Sequence, residues 1–358
     1  MDEKFTATEL IRKSADIENH LTDELSRKIY DIRLKYFFER NASTLREDIL
    51  NLGLEWQIPA VDDMYRINNN IESIVIFSSG QDGRNTLMLL KNSKYKNEKI
   101  LFCDNNPKLW NHEILGVRVI SPQELLNNFK ESIVVIGSSK YKVSILNQLL
   151  LKRYPRERIL YPHNILIQGK IYNQYFDYFE PNESEIFIDG GCLNGQTALE
   201  FTKWATKGYK YIYSFEANSL AIKDCEDTFK KYNLNGEIIS KGLWSKNDVL
   251  HFDLSLINDG SKIKSEGKET IEVTSIDETL NGKPATFVKM DIEGAEFKAL
   301  LGAEKTIKKY RPRLAISIYH KPEDILELPT LLLEMQPDYK FALRQYAPNG
   351  HETILYAY

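Results

Sequence analysis

The chain has 358 residues, 42% apolar and 27% charged, with a formal net charge of −4 and a pI near 6.0. That length exceeds one ordinary core and predicts two domains with extra elements. The mild acidity sets up no global field for nucleic acid, and no apolar run approaches the roughly 18 residues of a membrane helix.

Residues 1–70 read as a helical N-terminal segment. The opening MDEKFTATELIRKSADIEN lacks the basic-then-apolar order of a signal peptide. Cys103, Cys192 and Cys225 stand at no metal-like spacing and fit free thiols, so a reducing cytoplasm is the expected location. Within 8–50, Ile17, Leu21, Leu25, Ile29, Ile32 and Tyr36 recur at helical spacing. Such a face either packs on the body of the protein or forms a homodimer interface.

Residues 71–152 read as a small Rossmann-like domain. SIVIFSS, KILFCD and ESIVVIGSS are strands, and RNTLMLLKNS is a helix. Its first turn, SSGQDG, follows the dinucleotide pattern except that Ser78 replaces the first glycine. Asp104 ends the next strand, where a ribose-binding carboxylate would stand. Gly80, Gly83, Arg84 and Asp104 are therefore the candidate residues of a second cleft. Its ligand would be a nucleotide-sugar, a related phosphorylated molecule or a nicotinamide dinucleotide; a cleft kept only for packing is the plain alternative. Residues 153–184 read as a connecting segment, with turn residues in RYPRERILYPHN and FEPNES.

Residues 185–358 read as a longer α/β domain. EIFID, YKYIYSFE, GEIISKG, ATFVKMD and RPRLAISIYH are strands. GQTALEFTKWA, SLAIKDCEDTFKKYN and GAEFKALLGAEKTIKK are helices. VLHFDLS and TIEVTS alternate as a hairpin around the loop NDGSKIKSEGK. The end, YKFALRQYAPNGHETILYAY, reads as two strands around Asn349–Gly350. A mostly parallel sheet closed by an antiparallel hairpin resembles the class I methyltransferase fold more than a plain dinucleotide fold.

The second glycine turn, DGGCLNG, starts at Asp189, and Glu216 ends the following strand. S-adenosylmethionine suits this layout better than a dinucleotide. It has no pyrophosphate to cradle, and its ribose diol can take two hydrogen bonds from a carboxylate such as Glu216. Asp189 would orient the loop and the methionine ammonium.

FVKMDIEGAE carries three acids. Asp291 ends a strand expected beside the first strand of its sheet, at the switch point where open α/β sheets bind ligands. Glu293 and Glu296 read as helix-start charges, each worth about 0.3–1 kcal/mol with the helix dipole, and Gly294 permits a close turn. His320 is expected one strand over, about 4.8 Å across. A histidine of pKa near 7 is a suitable base for an alcohol, with Asp291 orienting it. Alternatively Asp291, Glu296 and His320 hold Mg²⁺, which would acidify the alcohol. Lys289 shares the face of Asp291 and is either a catalytic neighbour or a salt-bridge partner for a carboxylate.

The segments EIFIDGGCLNGQT, YSFEANS, ISKGLWS, VTSIDETL, FVKMDIEGAE and RPRLAISIYH, in that order, resemble the FkbM-type S-adenosylmethionine-dependent methyltransferases over residues 170–358. The resemblance implies O-methylation of a sugar, polyketide or similar hydroxyl. It carries cofactor binding onto Asp189, Gly191, Asn194, Gly195 and Glu216 and puts Asp291 at the active centre; Gly190, Thr197, Ala217, Asn218, Lys241 and Gly242 complete the candidate cofactor residues. ISIYH departs from relatives that have a glutamate shortly before the histidine. Residues 72–150 look like domains accompanying bacterial surface-glycan enzymes, which makes a glycan or its nucleotide-linked sugar precursor the expected acceptor. Two other functions are consistent with the residues: an NAD-dependent oxidoreductase using the Ser78–Gly83 turn, and a non-catalytic module binding S-adenosylmethionine or a nucleotide-sugar.

Overall fold

The computed structural model describes residues 6–54, 59–68, 70–138, 140–160, 174–252, 269–348 and 350–358. The loop NDGSKIKSEGK and Asn349 of the terminal turn lie outside them. The chain divides into two compact units. One takes in Met1–Leu45, Tyr172–Tyr346 and Gly350–Tyr358; the other takes in Arg46–Ile171 with Ala347–Asn349. The helical segment expected at 1–70 therefore divides, and its first part belongs with the C-terminal unit.

In place of one helix over 8–50 there are three: α1 (Ala7–His20), α2 (Glu24–Glu39) and α3 (Ala42–Leu50); α4 (Pro59–Ile67) follows. Local caps set the breaks. Thr6 and Glu9 form a capping box on α1, and Asp23 accepts from Ser26 N at 2.8 Å to start α2. Ile17, Leu21 and Ile29 are buried within their own unit, as the packing reading expects.

The smaller unit has β1 (Ile74–Phe77), α5 (Gln81–Lys91), β2 (Ile100–Cys103), β3 (Glu113–Ile114), β4 (Val117–Ile120), α6 (Pro122–Asn128), β5 (Ile133–Ile136), α7 (Lys142–Leu151) and β6 (Ile159–Leu160). Its sheet runs β3-β4-β2-β1-β5-β6, with β3 antiparallel. The buried runs IVIF and IVVI are covered on both faces, as central parallel strands must be.

The larger unit continues with β7 (Glu185–Gly190), α8 (Gln196–Trp204), β8 (Tyr209–Phe215), α9 (Ser219–Tyr232), β9 (Gly236–Ile239), β10 (Gly242–Leu243), β11 (Asp248–Phe252), β12 (Glu269–Thr274) and α10 (Ile276–Leu280). It ends with β13 (Phe287–Met290), α11 (Glu296–Leu301), α12 (Glu304–Tyr310), β14 (Arg313–Ser317), α13 (Asp324–Met335), β15 (Phe341–Gln345) and β16 (Thr353–Ala357). The seven-stranded sheet runs β15-β16-β14-β13-β7-β8-β9, with β16 antiparallel to both neighbours. This is the class I methyltransferase order, with the chain reversing across β7 and β13. A small sheet, β10-β12-β11, stands beside it.

The single helix expected after Asp291 divides at Gly302. A Cβ there would come within 2.1 Å of Trp244 O, so the passing backbone requires glycine and breaks the helix. The N-terminal helices protect the open edge of the sheet. Phe341 bridges to Leu21, and Leu343 N donates to Ser26 Oγ at 2.9 Å. Part of the expected connecting segment also belongs to this core: Tyr175 and Phe176 pack with Phe187, Phe201 and Phe287.

Candidate active site

The site forms where β7 and β13 end side by side. Asp189 is the register partner of Lys289, and Gly190 of Met290. Opposed residues of neighbouring strands share a face, so Lys289 Nζ reaches Asp189 at 3.2 Å and donates to Gly190 O at 2.9 Å and Gly191 O at 2.7 Å. Asp189 is fully buried and Lys289 2% exposed. Burial pushes the Asp189 carboxyl up. It would lower Lys289, but Asp189 and Asp291 hold that ammonium charged. Both side chains act under the glycine turn. Asp189 lies fully buried, and Lys289 spends its donors on Asp189 and on the Gly190 and Gly191 carbonyls, as a salt-bridge partner does.

The turn itself needs its glycines. Gly191 has φ 76, and a Cβ on it would come within 2.0 Å of Asp291 O. Gly195, also at φ 76, opens α8 without a side-chain cap, and Thr197 follows in the first turn of that helix. Asn194 Oδ1 accepts from Gln196 N. Glu216 ties the turn to the next strand: Oε2 accepts from Leu193 N and Oε1 from Asn218 N, both at 2.8 Å. Each oxygen keeps a lone pair. Ala217 and Gly242 approach one another, since a Cβ on Gly242 would lie 3.5 Å from that of Ala217. Lys241 is paired with Glu272 at 3.0 Å.

Beyond β13 the chain turns through two left-handed residues, Glu293 (φ 56) and Gly294 (φ 90), into α11. This turn drives Glu296 inward. It is fully buried, and its Oε1 accepts from Ile292 N at 2.9 Å. Its reading as a helix-start charge is thereby corrected, whereas Glu293, with its side chain 83% exposed, retains that reading. β14 ends at Ser317, so His320 lies on the following loop. Its Nδ1 is 3.1 Å from Glu296 Oε1 and its Nε2 is 3.4 Å from Asp291 Oδ1. Both approaches lack the direction of an aligned hydrogen bond, so they count as charge contacts. Burial disfavours the charged ring, but Glu296, Asp291 and Glu293 outweigh it and raise His320 to about 9. The expected pKa near 7 is corrected accordingly: three carboxylates surround the ring.

Asp291, Glu296 and His320 bring ligating atoms within 4.8 Å of one another. The two carboxylates, however, face opposite nitrogens of the ring. A cation takes one imidazole nitrogen; the two carboxylates thus bracket the ring as a carboxylate–imidazole–carboxylate arrangement, and the same three side chains offer one ligand atom each to a metal ion.

Three residues at the site were not read from the sequence. Tyr175 donates to Asp291 Oδ2 at 2.7 Å, Tyr319 Oη stands 3.2 Å from Oδ1, and Glu352 comes in from the start of β16. Burial pushes the Asp291 carboxyl up, but Lys289, the Tyr175 hydroxyl and His320 bring it below its ordinary value. Tyr319 had a signal, being next to His320. Glu352 needed the terminal hairpin paired onto β14, where Ile318 N donates to Thr353 O.

The second-cleft residues form a different arrangement. Asp104 Oδ2 accepts from Ser79 N and Oγ at 2.9 and 2.8 Å, and Oδ1 accepts from Asn106 N. Ser78 takes φ 103 in the place of the missing glycine, and its carbonyl abuts Gly83. Gly80 caps α5 with backbone alone, and Arg84 Nε turns back to Ser79 O at 3.1 Å. Among the described residues, no helix is long and apolar enough to cross a membrane.

No curated protein matches the chain. Among solved structures, it is similar to a methyltransferase FkbM from Methylobacillus flagellatus KT, with 18% identity over 91% of this chain and 99% of that one, at a TM-score of 0.45. An rRNA methylase from Streptococcus thermophilus is similar at 16% identity, covering 52% and 92%, with a TM-score of 0.33. Aeropyrum pernix fibrillarin with bound S-adenosyl-L-methionine is similar at 10%, covering 52% and 76%, with a TM-score of 0.35. Likenesses this loose carry no conclusion about activity. The family model of the methyltransferase FkbM domain matches residues 179–341, from just before β7 to the first residue of β15, and takes in Asp189, Glu216, Asp291, Glu296 and His320 but not Tyr175 or Glu352. The chain thus carries an S-adenosylmethionine-dependent methyltransferase domain of the FkbM family.

Proposed function

We propose that this domain methylates a hydroxyl of a sugar, in a surface glycan or its nucleotide-linked precursor, with His320 as the base. The carrying observation is the His320 ring, held between buried Glu296 and half-buried Asp291 at the ends of β14 and β13. S-adenosylmethionine, when bound, supplies a sulfonium methyl whose carbon leaves sulfur as a bond to the acceptor oxygen forms. Glu216, with a lone pair left on each oxygen, would hold the ribose diol. The close-packed Gly190–Gly191 turn would let backbone approach the amino-acid end, and Asp189 with Lys289 would keep that turn rigid.

Glu296 fixes the ring from the Nδ1 side, leaving Nε2 toward Asp291 to take the acceptor's proton. Asp291 keeps the resulting imidazolium in a favourable field and orients the hydroxyl. Because the ring is held to about 9, it must first lose its own proton. Turnover is therefore expected to rise with pH through that value.

The test is His320→Ala. S-adenosylmethionine binding by calorimetry is expected to survive while turnover falls about 10²-fold or more; unchanged turnover sinks the base assignment. Activity is expected to persist in EDTA, and loss restored by Mg²⁺ would move the three side chains to metal binding.

A further inference from the structure

Asp291 is also one end of a polar network that the base does not use. Tyr319 Oη stands 3.2 Å from Asp291 Oδ1 and 3.4 Å from Glu352 Oε1. A phenol has one proton, so it serves only one of these carboxylates at a time. Glu352 Oε2 accepts from Gln174 Nε2 at 2.7 Å. Gln174 is 3% exposed, yet its Oε1 has no hydrogen-bond partner among the described residues. The His320 side chain is 9% exposed and likewise lacks an aligned partner. Glu352 also takes a left-handed φ of 58, against the local preference of a non-glycine residue.

The network has an open front and a closed back. Asp291, Tyr319 and Glu352 are half-buried, whereas Gln174 and Tyr175 behind them are buried. The front is rich in acceptors and short of protons. Whatever completes it must bring hydrogen-bond donors. An anion would meet Asp291, Glu352 and the exposed Glu293. A cation is less suited, because the His320 ring already stands beside Asp291 and Glu293. Uncharged hydroxyls remain.

We infer that Glu352, Tyr319 and Gln174 form a subsite for a second hydroxyl of the acceptor, adjacent to the one deprotonated at Asp291 and His320. The acceptor is then a vicinal diol of an uncharged polyol. This rests on the methyl-transfer reading and deepens it. Tyr319 sets the spacing: by donating to one carboxylate it leaves the other for the ligand, and each ligand hydroxyl replaces a proton the network lacks.

The test uses the full chain, methyl-labelled S-adenosylmethionine and a panel of methyl glycosides with vicinal diols. Their monodeoxy analogues and the phosphate monoesters of the neighbouring hydroxyl complete the panel. The diols are expected to exceed the deoxy compounds in kcat/KM by about 10- to 100-fold, because deletion leaves a buried acceptor unpaired. Glu352→Gln is expected to bring that ratio within about 3-fold, mainly through KM, with S-adenosylmethionine affinity unchanged. Gln174→Ala, checked by melting, is expected to shrink the ratio in the same direction should Glu352→Gln fail to fold. Thermal shift of the enzyme with S-adenosylhomocysteine, titrated with diol and deoxy glycosides, reads the preference without turnover. Equal kcat/KM for diol and deoxy acceptors, a ratio that survives Glu352→Gln, or equal use of the phosphate esters overturns the subsite. Cofactor binding with transfer to no hydroxyl at all overturns the methyl-transfer reading itself, and the subsite with it.

Discussion

The two Rossmann-like units use one device at the ends of their first two strands and diverge one strand further on. In the smaller unit Asp104 accepts from the backbone of the β1 turn at Ser79. In the larger, Glu216 accepts from the backbone of the β7 turn at Leu193. Both carboxylates pin a turn to a neighbouring strand. The strands on the other side differ. β5 ends in Gly137-Ser138, with Gly137 pressed on Gly83 and Ile76. β13 leads into Asp291 and Glu296, and β14 into His320. A glycine turn therefore identifies a scaffold, and the chemistry has to be sought at the strand ends across the switch point.

The largest expected effect lies where the units differ most. His320→Ala removes the group between Glu296 and Asp291 and should lower turnover about 10²-fold or more while leaving cofactor affinity in place. A comparable loss of cofactor affinity, measured by calorimetry, would mean that His320 supports the turn rather than the reaction.

Glu296→Gln tests what sets the ring's proton. Glu296 contributes to raising His320 to about 9, so its removal should move the alkaline-rising limb of the pH–rate profile toward the ordinary histidine value. The stability consequence has a definite sign. With the folded value above the unfolded one, the stabilising contribution is fully present below about 6.5. It disappears as pH rises through about 9. Melting temperature followed over that window should fall more steeply in wild type than in Glu296→Gln, and parallel curves would remove His320 from the account.

Much of this was legible in the sequence, for reasons that can be named. Buried strands such as IVIF and FVKM announce themselves by composition, and their alternation with helices gives the parallel sheet. Asp291 and His320 could be paired in advance, because strand adjacency follows from topology. Glu296 could not. Its inward direction depends on the left-handed pair Glu293–Gly294, and an acid at a helix start ordinarily faces water. Tyr175 and Glu352 were out of reach for another reason. Each is brought to Asp291 by pairing distant in sequence, 116 residues away for Tyr175, and no local spacing encodes that. The failed pKa expectation has the same source, since it counted Asp291 and omitted two further carboxylates.

The smallest expected effects compare the two pinning carboxylates directly. Glu216→Gln keeps shape but weakens acceptance, and should cost S-adenosylmethionine about tenfold in affinity, near 1.4 kcal/mol. Asp104→Asn should leave that affinity within error, although Asp104 holds three donors where Glu216 holds two. Its cost should fall on stability instead, about 1–3 kcal/mol, through the Ser78–Gly83 turn. Titration with NAD separates the remaining alternatives. If the smaller unit is a scaffold whose strand-end carboxylate is spent on its own turn, NAD should give no thermal shift in wild type. A shift in wild type that Asp104→Asn abolishes would restore a ligand to that cleft, and the two units would then share function as well as form.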